Sequence, residues 1–336
     1  MEADLVKRAG LPFEVIPAAG VHGVGARALP GNALRLMRGL TKSHRILNRF
    51  QPDVLLFTGG YMAVPMALAA HLPRLRSRPR SLLYIPDIEP GLALKVLIRF
   101  ADHIAASTET SQNYLPKRKA VTITGYPLRP NLQVLSPEIA QHTLGIDAPT
   151  RPVLLVWGGS KGARSINRAL TANLAALLSE MEIIHISGQL DWAEIEAAQA
   201  GLPPDLAEHY HPYPYLHEIA AAFSVADLVI SRAGASTLGE YPFYGLPAIL
   251  VPYPYAWRYQ KVNADYLAQR GAAIIIENAD LADKLLPAIR ELMRDKQRRE
   301  QMRQTMHSLH RPQAAEAIAN ILRQLGQGER TKNVRS

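Results

Sequence analysis

The chain has 336 residues, more than one hydrophobic core usually supports, so two domains are expected. Hydrophobic residues make up 48% and charged residues 20% of the sequence, which excludes a disordered or fibrous protein. Cysteine is absent, which excludes disulfides, thiolate metal sites and thiol nucleophiles and favours a cytoplasmic protein.

The formal net charge of +9 is concentrated in the first half of the chain. Residues 1–150 carry 18 Lys and Arg against 10 Asp and Glu. A concentrated positive field attracts phosphate groups, which nucleic acid, anionic lipid or a phosphorylated substrate can supply. No nucleic-acid recognition module is visible and the basic residues are not interleaved with aromatics, so nucleic acid is not the expected partner.

The first predicted element is an amphipathic helix over residues 33–50. Steps of three and four place its basic residues on one narrow face: Arg35, Arg38, Lys42, Arg45 and Arg49. The opposite face carries Leu36, Met37, Leu40, Leu47 and Phe50. This pattern is typical of a helix lying on an anionic membrane, and equally of a helix that packs on a sheet with a solvated basic side. Both interpretations stay open.

Short apolar runs typical of buried strands alternate with helical patterns along the rest of the chain. They cover residues 53–58, 80–85, 121–125, 152–157, 182–187, 226–231 and 248–252. No run is long enough for a membrane-spanning helix, which needs roughly 20 apolar residues. The alternation predicts parallel sheets covered on both faces by helices. We therefore expect an α/β protein with two doubly wound domains.

Prolines mark the expected domain boundary. Pro127 and Pro130 flank Arg129, and a new strand begins near Pro152, which places the boundary near residue 140. This gives one domain over residues 1–140 and a second over residues 141–325. The last predicted helix runs from about Ala314 to Gln324. The polar segment 326–336 is expected to be disordered.

Two loops in the second half have the composition of a nucleotide site. The first contains Gly158, Gly159 and Gly162 between an apolar strand and a helix, which aims backbone N–H groups at an anion. It is neither a Walker loop nor a dinucleotide fingerprint, and a tight turn is the alternative. The second loop offers the hydroxyls of Ser236 and Thr237, with Glu240 one helical turn further. A carboxylate there suits the two hydroxyls of a ribose.

Taken together, these residues resemble the MurG-type enzymes of glycosyltransferase family 28. The resemblance is carried by the glycine loop and second loop, by Gly245-Leu-Pro-Ala, and by Gln260 and Asn263-Ala264. Weaker matches upstream are Met1-Glu-Ala-Asp-Leu-Val, Pro52-Asp-Val, Gly59-Gly60-Tyr61 and Gly125-Tyr-Pro-Leu-Arg129. The family implies the GT-B fold of two facing Rossmann-like domains. It also implies transfer of N-acetylglucosamine from UDP to a lipid-linked acceptor at the inner face of the cell membrane, with inversion and without a metal or other cofactor.

The resemblance also implies roles for individual residues. The glycine loop with Ser160 meets the α-phosphate, Arg129 reaches the diphosphate, and Glu240 holds the ribose. Backbone near Leu216 reads the uracil, and Gln260 binds the sugar hydroxyls. The expected UDP-sugar set is Arg129, Gly158, Gly159, Ser160, Gly162, Leu216, Arg232, Gly234, Ala235, Ser236, Thr237, Glu240 and Gln260. The expected acceptor-side set is Gly59, Gly60, Tyr61 and Tyr84.

The sequence departs from the family pattern on the acceptor side. Tyr84-Ile-Pro-Asp87 stands where the family has His-Glu-Gln-Asn. The family's first strand and its Gly-Gly-x-Gly-His loop, with the candidate base His, match nothing in this sequence, so the first domain is expected to lack a central strand. Asp87 and Glu89 are the substitute bases. The alternatives are a non-catalytic UDP-sugar-binding or scaffold protein, and a GT-B nucleotide-sugar epimerase.

Overall fold

A computed structural model describes the backbone of residues 6–7, 9–18, 29–72, 78–146, 151–159, 162–255 and 259–333. Side chains are described for the same residues except 29, 30, 33 and 328–333. Ser160, predicted to contact a phosphate, therefore lies outside the described residues.

The first sheet has four parallel strands in the order β1-β2-β3-β4. Buried apolar side chains such as Leu83, Ile85, Leu97 and Ile104 form its core against the helices. The elements are α1 (Leu29–Phe50), β1 (Val54–Phe57), α2 (Val64–Ala69), β2 (Arg80–Ile85), α3 (Leu92–Phe100), β3 (His103–Ala106) and β4 (Ala120–Ile123).

The second sheet has six parallel strands in the order β10-β9-β8-β5-β6-β7. Its central strands are apolar and buried on both faces, as continuous Val, Ile and Leu runs predict. The strands are β5 (Val153–Trp157), β6 (Glu182–Ile186), β7 (Tyr210–Tyr213), β8 (Leu228–Ser231), β9 (Ala248–Leu250) and β10 (Ala273–Ile275).

Helices connect these strands and cover the second sheet. The helix before the sheet, α4 (Pro137–Leu144), packs against α9, so the boundary expected near residue 140 falls inside a helix of the second domain. The remaining helices are α5 (Arg164–Thr171), α6 (Leu174–Leu178), α7 (Trp192–Ala200), α8 (Pro204–Ala207), α9 (Ile219–Val225), α10 (Glu240–Tyr244), α11 (Tyr259–Ala268), α12 (Leu281–Arg294), α13 (Lys296–Ser308) and α14 (Ala314–Asn333).

The last helix, α14, returns to the first sheet. Ile318 and Ile321 are buried against Leu82 and Tyr84 of β2. The prediction that this helix belongs to the second domain and ends near Gln324 is therefore wrong. Its backbone continues to Asn333, so residues 326–333 are helical rather than disordered, and Gly326 lies beside Asp53. Tertiary packing explains why the helix is longer than predicted. Its apolar stripe covers the first sheet, and this burial offsets the entropy cost of ordering the polar end of the helix.

The chain therefore crosses between the two sheets twice, after β4 and before α14. The two crossings touch, since a Cβ on Gly125 would lie 2.7 Å from Cβ of Arg311. Gly125 has φ +90°, a conformation that favours glycine. The two sheets are thus joined at a compact double connection.

Strand β1 forms the edge of the first sheet among the described residues. Leu56 on this strand is 45% exposed, although Phe57 beside it is buried. This edge strand therefore presents an apolar side chain to solvent.

Candidate active site

The two predicted loops meet at one edge of the second sheet. Strand β5 pairs with β8 so that Trp157 lies opposite Ser231, and the glycine loop (residues 158–163) and the hydroxyl loop (residues 232–239) leave from these neighbouring ends. Together they line a cavity of about 1100 Å³. The carboxyl ends of parallel strands, at the point where the strand order reverses, are the usual ligand site of such sheets.

The glycine loop has a backbone that only glycine allows. Gly159 and Gly162 have φ angles of +81° and +76°. A Cβ on Gly162 would lie 2.1 Å from the carbonyl oxygen of Ser187, and one on Gly158 would lie 2.2 Å from the backbone nitrogen of Ala163. Gly158, Gly159 and Gly162 all line the cavity. The loop is therefore packed closely on the sheet end and presents backbone to the cavity.

A buried polar network supports helix α5, which follows the glycine loop. Arg164 Nε donates to Asp191 at 2.7 Å, and Asn167 donates to Asp191 and to the carbonyl oxygen of Ser187. His185 lies behind them, within 3.0 Å of Asn167 and 2.7 Å of the Tyr210 hydroxyl. Burial lowers the pKa of His185 to about 3, so this imidazole is neutral at physiological pH.

The hydroxyl loop forms a turn of 3₁₀-helix over Ala235–Leu238. The hydroxyl of Thr237 donates to the carbonyl oxygen of Gly234 at 2.6 Å, so it stabilises the loop itself. Gly234, Ser236 and Thr237 line the cavity, whereas Ala235 does not. The structure thus brings most of the predicted residues of this loop to the cavity wall.

Glu240 lies behind Ser236 rather than in the cavity wall. It is 5% exposed, and its Oε1 accepts from Arg129 at 3.4 Å across the domain interface. Burial raises the pKa of Glu240 above its usual range, although Arg129 and the Ser236 hydroxyl oppose that shift. Oε2 is buried and has no hydrogen-bond partner within the described part of the chain. A buried carboxylate oxygen without a partner is costly, and a ligand hydroxyl is one way to satisfy it.

Two polar residues predicted to touch the ligand are engaged with the protein. Arg232 donates to the carbonyl oxygen of Val251 and to Ser165, and burial lowers its pKa. Gln260 accepts from the backbone N–H of Tyr253 through Oε1. Both still line the cavity. Leu216 does not line it, because its side chain packs on the core, and a role for its backbone stays a prediction.

The candidate bases lie on the opposite domain and have different surroundings. Asp87 faces the second domain, where Asn263 donates to its Oδ1 at 2.8 Å, and burial raises the pKa of Asp87. Asn263 also accepts from the backbone N–H of Ile88 and donates to the carbonyl oxygen of Ala233. Glu89 is paired with Lys95 at 3.3 Å. Asp87 is therefore the carboxylate that connects to the hydroxyl loop.

Asn263 is a bridging residue to which the sequence analysis gave no role. It is fully buried, and its single amide joins residues 87 and 88 of the first domain to residue 233 of the second. The available signal was its position three residues after Gln260, on the same helix α11 and one turn further along.

The predicted acceptor-side residues are not all at the cleft. Gly59 and Gly60 have positive φ angles in the turn after β1, and Tyr61 is exposed. Tyr84 is placed elsewhere: it is 5% exposed beneath α14, and its hydroxyl donates to the carbonyl oxygen of Gly125. The acceptor-side prediction for Tyr84 is therefore wrong, because alternate residues of a buried strand face opposite sides and Tyr84 faces the helix.

Helix α1 exists as predicted and presents its basic residues outward. Arg35, Arg38, Arg45 and Arg49 are exposed and Lys42 is half-buried. Glu14 forms ion pairs with Lys42 and Arg49, which neutralises part of this face. The opposite face is only partly buried: Leu47 is in the core, whereas Met37 is 60% and Phe50 74% exposed. None of the helices in the described ranges combines the length and apolarity needed to cross a bilayer.

Two family models match this chain. The glycosyltransferase family 28 N-terminal domain matches residues 1–106, and the glycosyltransferase family 28 C-terminal domain matches residues 153–321. The chain belongs to glycosyltransferase family 28. The enzyme class and the two-domain GT-B fold predicted from the sequence are confirmed.

Relatives of this family 28 enzyme cover nearly all of the chain. One from Roseiflexus sp. (strain RS-1) is a "UDP-N-acetylglucosamine--N-acetylmuramyl-(pentapeptide) pyrophosphoryl-undecaprenol N-acetylglucosamine transferase", 40% identical over 97% of this chain and 81% of its own length. Another, from Desulforudis audaxviator (strain MP104C), has the same description and is 37% identical over 98% of this chain and 89% of its own length.

Solved structures agree with the fold of the family 28 enzyme. MurG from Acinetobacter baumannii is 26% identical with a TM-score of 0.74, over 96% of this chain and 88% of that chain. A putative UDP-N-acetylglucosamine 2-epimerase from Listeria monocytogenes is 14% identical with a TM-score of 0.65, over 94% and 84% of the two chains. The similarity to the epimerase, at 14% identity, shows the fold alone. The family models and the relatives favour the transferase over the epimerase.

Proposed function

We propose that this enzyme transfers N-acetylglucosamine from UDP-N-acetylglucosamine to a lipid-linked acceptor, with inversion at C1. Both relatives described above are transferases of this sugar to a pyrophosphoryl-undecaprenol acceptor. In this chain the proposal is carried by one observation, the unsatisfied Oε2 of the buried Glu240 directly behind the wall of the cavity. Its chemistry fits the two ribose hydroxyls of a nucleotide.

The rest of the cavity suits a diphosphate. Gly158, Gly159 and Gly162 place backbone in the cavity wall near the start of α5, and Arg129 of the first domain pairs with Glu240 behind that wall. We expect backbone N–H groups of this loop and the guanidinium to bind the diphosphate. These donors are fixed before the ligand binds, so they can stabilise the charge that develops on UDP as the C1–O bond breaks. We therefore expect turnover to be insensitive to a chelator, and restoration by magnesium or manganese after chelation contradicts this part of the proposal.

The acceptor step needs a base on the other side of the cleft. The acceptor hydroxyl oxygen forms a bond to C1, the C1–O bond to the diphosphate breaks with its electron pair, and the hydroxyl proton passes to a carboxylate. Asp87 is proposed for this role, because it is joined through Asn263 to the hydroxyl loop and burial raises its pKa. A raised pKa makes a carboxylate a stronger base at neutral pH.

A lipid-linked acceptor lies in the membrane, so the enzyme must act at the membrane surface. We propose that helix α1 contacts the inner face of the cell membrane. Its exposed Arg38 and Arg45 suit anionic headgroups, and the exposed Met37 and Phe50 on the same helix suit the headgroup boundary. The enzyme is thus proposed to be cytoplasmic and peripheral.

Calorimetry with UDP, together with a turnover assay, tests the proposed function. The parent is expected to bind UDP and to turn over UDP-N-acetylglucosamine only when a lipid-linked acceptor is present. Glu240→Ala should weaken UDP binding by about 1–3 kcal/mol, the cost of losing a charged hydrogen-bonding group. Glu208→Ala, at an exposed position just before the edge strand β7 and outside the cavity lining, serves as the control.

The possible outcomes separate the alternatives. A parent that binds UDP without turnover is a binding or scaffold protein, and one that forms the C2 epimer of the sugar without an acceptor is an epimerase. Equal UDP affinity of Glu240→Ala and the parent removes the ribose assignment.

A further inference from the structure

Trp157 and Tyr241 join the two loops of the site below the cavity. Trp157 ends β5 directly before the glycine loop and lines the cavity. Its indole Nε1 does not donate into the cavity but to the hydroxyl of Tyr241, at 2.7 Å. Tyr241 is fully buried on α10, next to Glu240.

The chain of hydrogen bonds continues from Tyr241 to the hydroxyl loop. The Tyr241 hydroxyl donates to Ser231 Oγ at 2.6 Å, and the Ser231 hydroxyl donates to the carbonyl oxygen of Arg232 at 2.9 Å. Each hydroxyl thus accepts one bond and donates the next. We call Trp157, Tyr241 and Ser231 the Tyr241 link, which connects the start of one loop to the start of the other.

Aromatic packing fixes the geometry of the Tyr241 link. Phe223 contacts Trp157 and Tyr241 edge to face, with ring centroids 5.5 Å and 5.9 Å apart. Trp157 and Tyr241 are held both by contact with Phe223 and by their hydrogen bond, so the indole cannot turn without breaking the bond to Tyr241. The link is therefore a rigid spacer rather than a loose contact.

A second connection joins the same two loops beyond the glycines. Arg232 Nη2 donates to Ser165 Oγ at 2.7 Å, and the Ser165 hydroxyl donates to Asn278 at 2.7 Å. Ser165 follows the glycine loop on α5. The glycine loop is thus joined to the start of the hydroxyl loop both before and after its glycines.

We propose that Tyr241 is a positioning residue of the nucleotide-sugar site, whose hydroxyl sets the spacing between the glycine loop, the hydroxyl loop and Glu240. This inference rests on the proposed function, because the spacing matters only if one ligand bridges the diphosphate and ribose positions. Errors of about 1 Å in such positions are enough to reduce binding and rate strongly.

Tyr241→Phe in the full chain tests the inference, since it removes the hydroxyl and keeps the ring. The dissociation constant for UDP and the KM for UDP-N-acetylglucosamine are expected to rise about tenfold, the equivalent of one lost hydrogen bond of about 1.4 kcal/mol. The value of kcat should change much less. A purely structural residue would instead lower the folded fraction, which reduces kcat and leaves KM unchanged.

Tyr244→Phe is the matched control. Tyr244 lies on the same helix, packs on the same Phe223, and donates its hydroxyl to the carbonyl oxygen of Gln133, away from the cavity. Removal of the Tyr244 hydroxyl should leave the UDP affinity within about twofold of that of the parent, because no bond of the Tyr241 link is lost.

The outcomes decide the inference separately from the function. A parent that binds UDP, with a folded Tyr241→Phe variant of equal affinity, overturns the inference and leaves the proposed function intact. A parent that does not bind UDP overturns both. If Tyr241→Phe does not fold, Ser231→Ala removes the next bond in the link, and unchanged UDP affinity in that variant overturns the inference.

Discussion

The two sheets of this enzyme differ in where the residues that cover them come from in the chain. The second sheet has six strands with its central strands buried on both faces, and both loops of the candidate site leave from neighbouring strand ends within it. Within the described part of the chain the first sheet has four strands, exposes Leu56 at β1, and takes part of its cover from α14 at the other end of the chain. Both loops of the candidate site thus lie within the second sheet, whereas the first sheet depends on a helix from the far end of the chain.

The largest expected effect separates chemistry from binding. Asp87→Asn should lower kcat by about 100-fold or more, the usual contribution of a general base, because the amide cannot take the acceptor proton. UDP binding should be unchanged, since the amide oxygen can still accept the hydrogen bond that Asn263 donates. Steady-state kinetics and calorimetry on the same preparation measure both quantities.

Glu89→Gln is the control for that experiment, because Glu89 is paired with Lys95, whereas Asp87 accepts from Asn263. Turnover by Asp87→Asn close to that of the parent, with Glu89→Gln strongly impaired, would transfer the proposed role from one carboxylate to the other.

The dependence of the first sheet on α14 is tested by shortening its buried side chains. Ile318→Ala and Ile321→Ala should each lower the free energy of unfolding by about 2–4 kcal/mol, through lost burial and the cavity that remains. Denaturant titration followed by circular dichroism measures this loss. Gln324→Ala, at an exposed position of the same helix, should change stability by less than about 0.5 kcal/mol. Equal stability of all three variants would show that α14 contributes no cover.

The basic face of α1 should distinguish the first domain from the second at a membrane. Replacing Arg38, Lys42 and Arg45 with Gln should weaken binding to anionic vesicles by up to about 100-fold at low salt, because each charge contributes on the order of 1 kcal/mol. Lys284, Arg294 and Arg298 replaced with Gln remove the same charge from the second domain and should have little effect. Equal losses in the two triple variants would mean that net charge, not α1, directs the protein to the vesicle.

The smallest expected effect is a pH dependence of donor binding. Burial raises the pKa of Glu240, and ribose hydroxyls donate to its ionised form. Affinity for UDP-N-acetylglucosamine should therefore fall as pH falls through that raised pKa, approaching about tenfold per pH unit below it. Calorimetry from pH 7.5 downward measures this slope. Glu240→Gln has no carboxyl to titrate there, so an identical slope in that variant assigns the effect to another group.

The sequence predicted the parts of the fold that have strong local patterns. Strands β5, β6 and β8 are continuous apolar runs. The glycine loop has a backbone conformation that requires glycine. Three strands were missed because their own signals are weak. His103–Ala106 is short and rich in alanine, and β7 contains Pro212, which an edge strand tolerates but which argues against a strand in sequence. Ala273–Ile275 has only three residues.

Site residues that lie within one loop could be predicted from the sequence. Contacts between residues from two distant segments could not. Gly158, Gly162, Ser236 and Glu240 could be placed from local composition. The contact between Trp157 and Tyr241 joins residues 84 positions apart, and that between Asp87 and Asn263 joins residues 176 apart. Such pairs depend on strand order and domain packing, which a local pattern does not specify. Tyr84 was misplaced for the same reason, because only the position of α14 decides which face of β2 is covered.

The double crossing between the sheets has a consequence for cutting the protein in two. A single proteolytic break in the first crossing leaves both fragments attached, because α14 belongs by sequence to the second fragment and by packing to the first sheet. Release of the halves requires a second break between α13 and α14, or the withdrawal of α14 from the sheet. A nicked enzyme should therefore migrate as one particle on gel filtration and as two bands after denaturation, and only removal of the last helix would free the first domain.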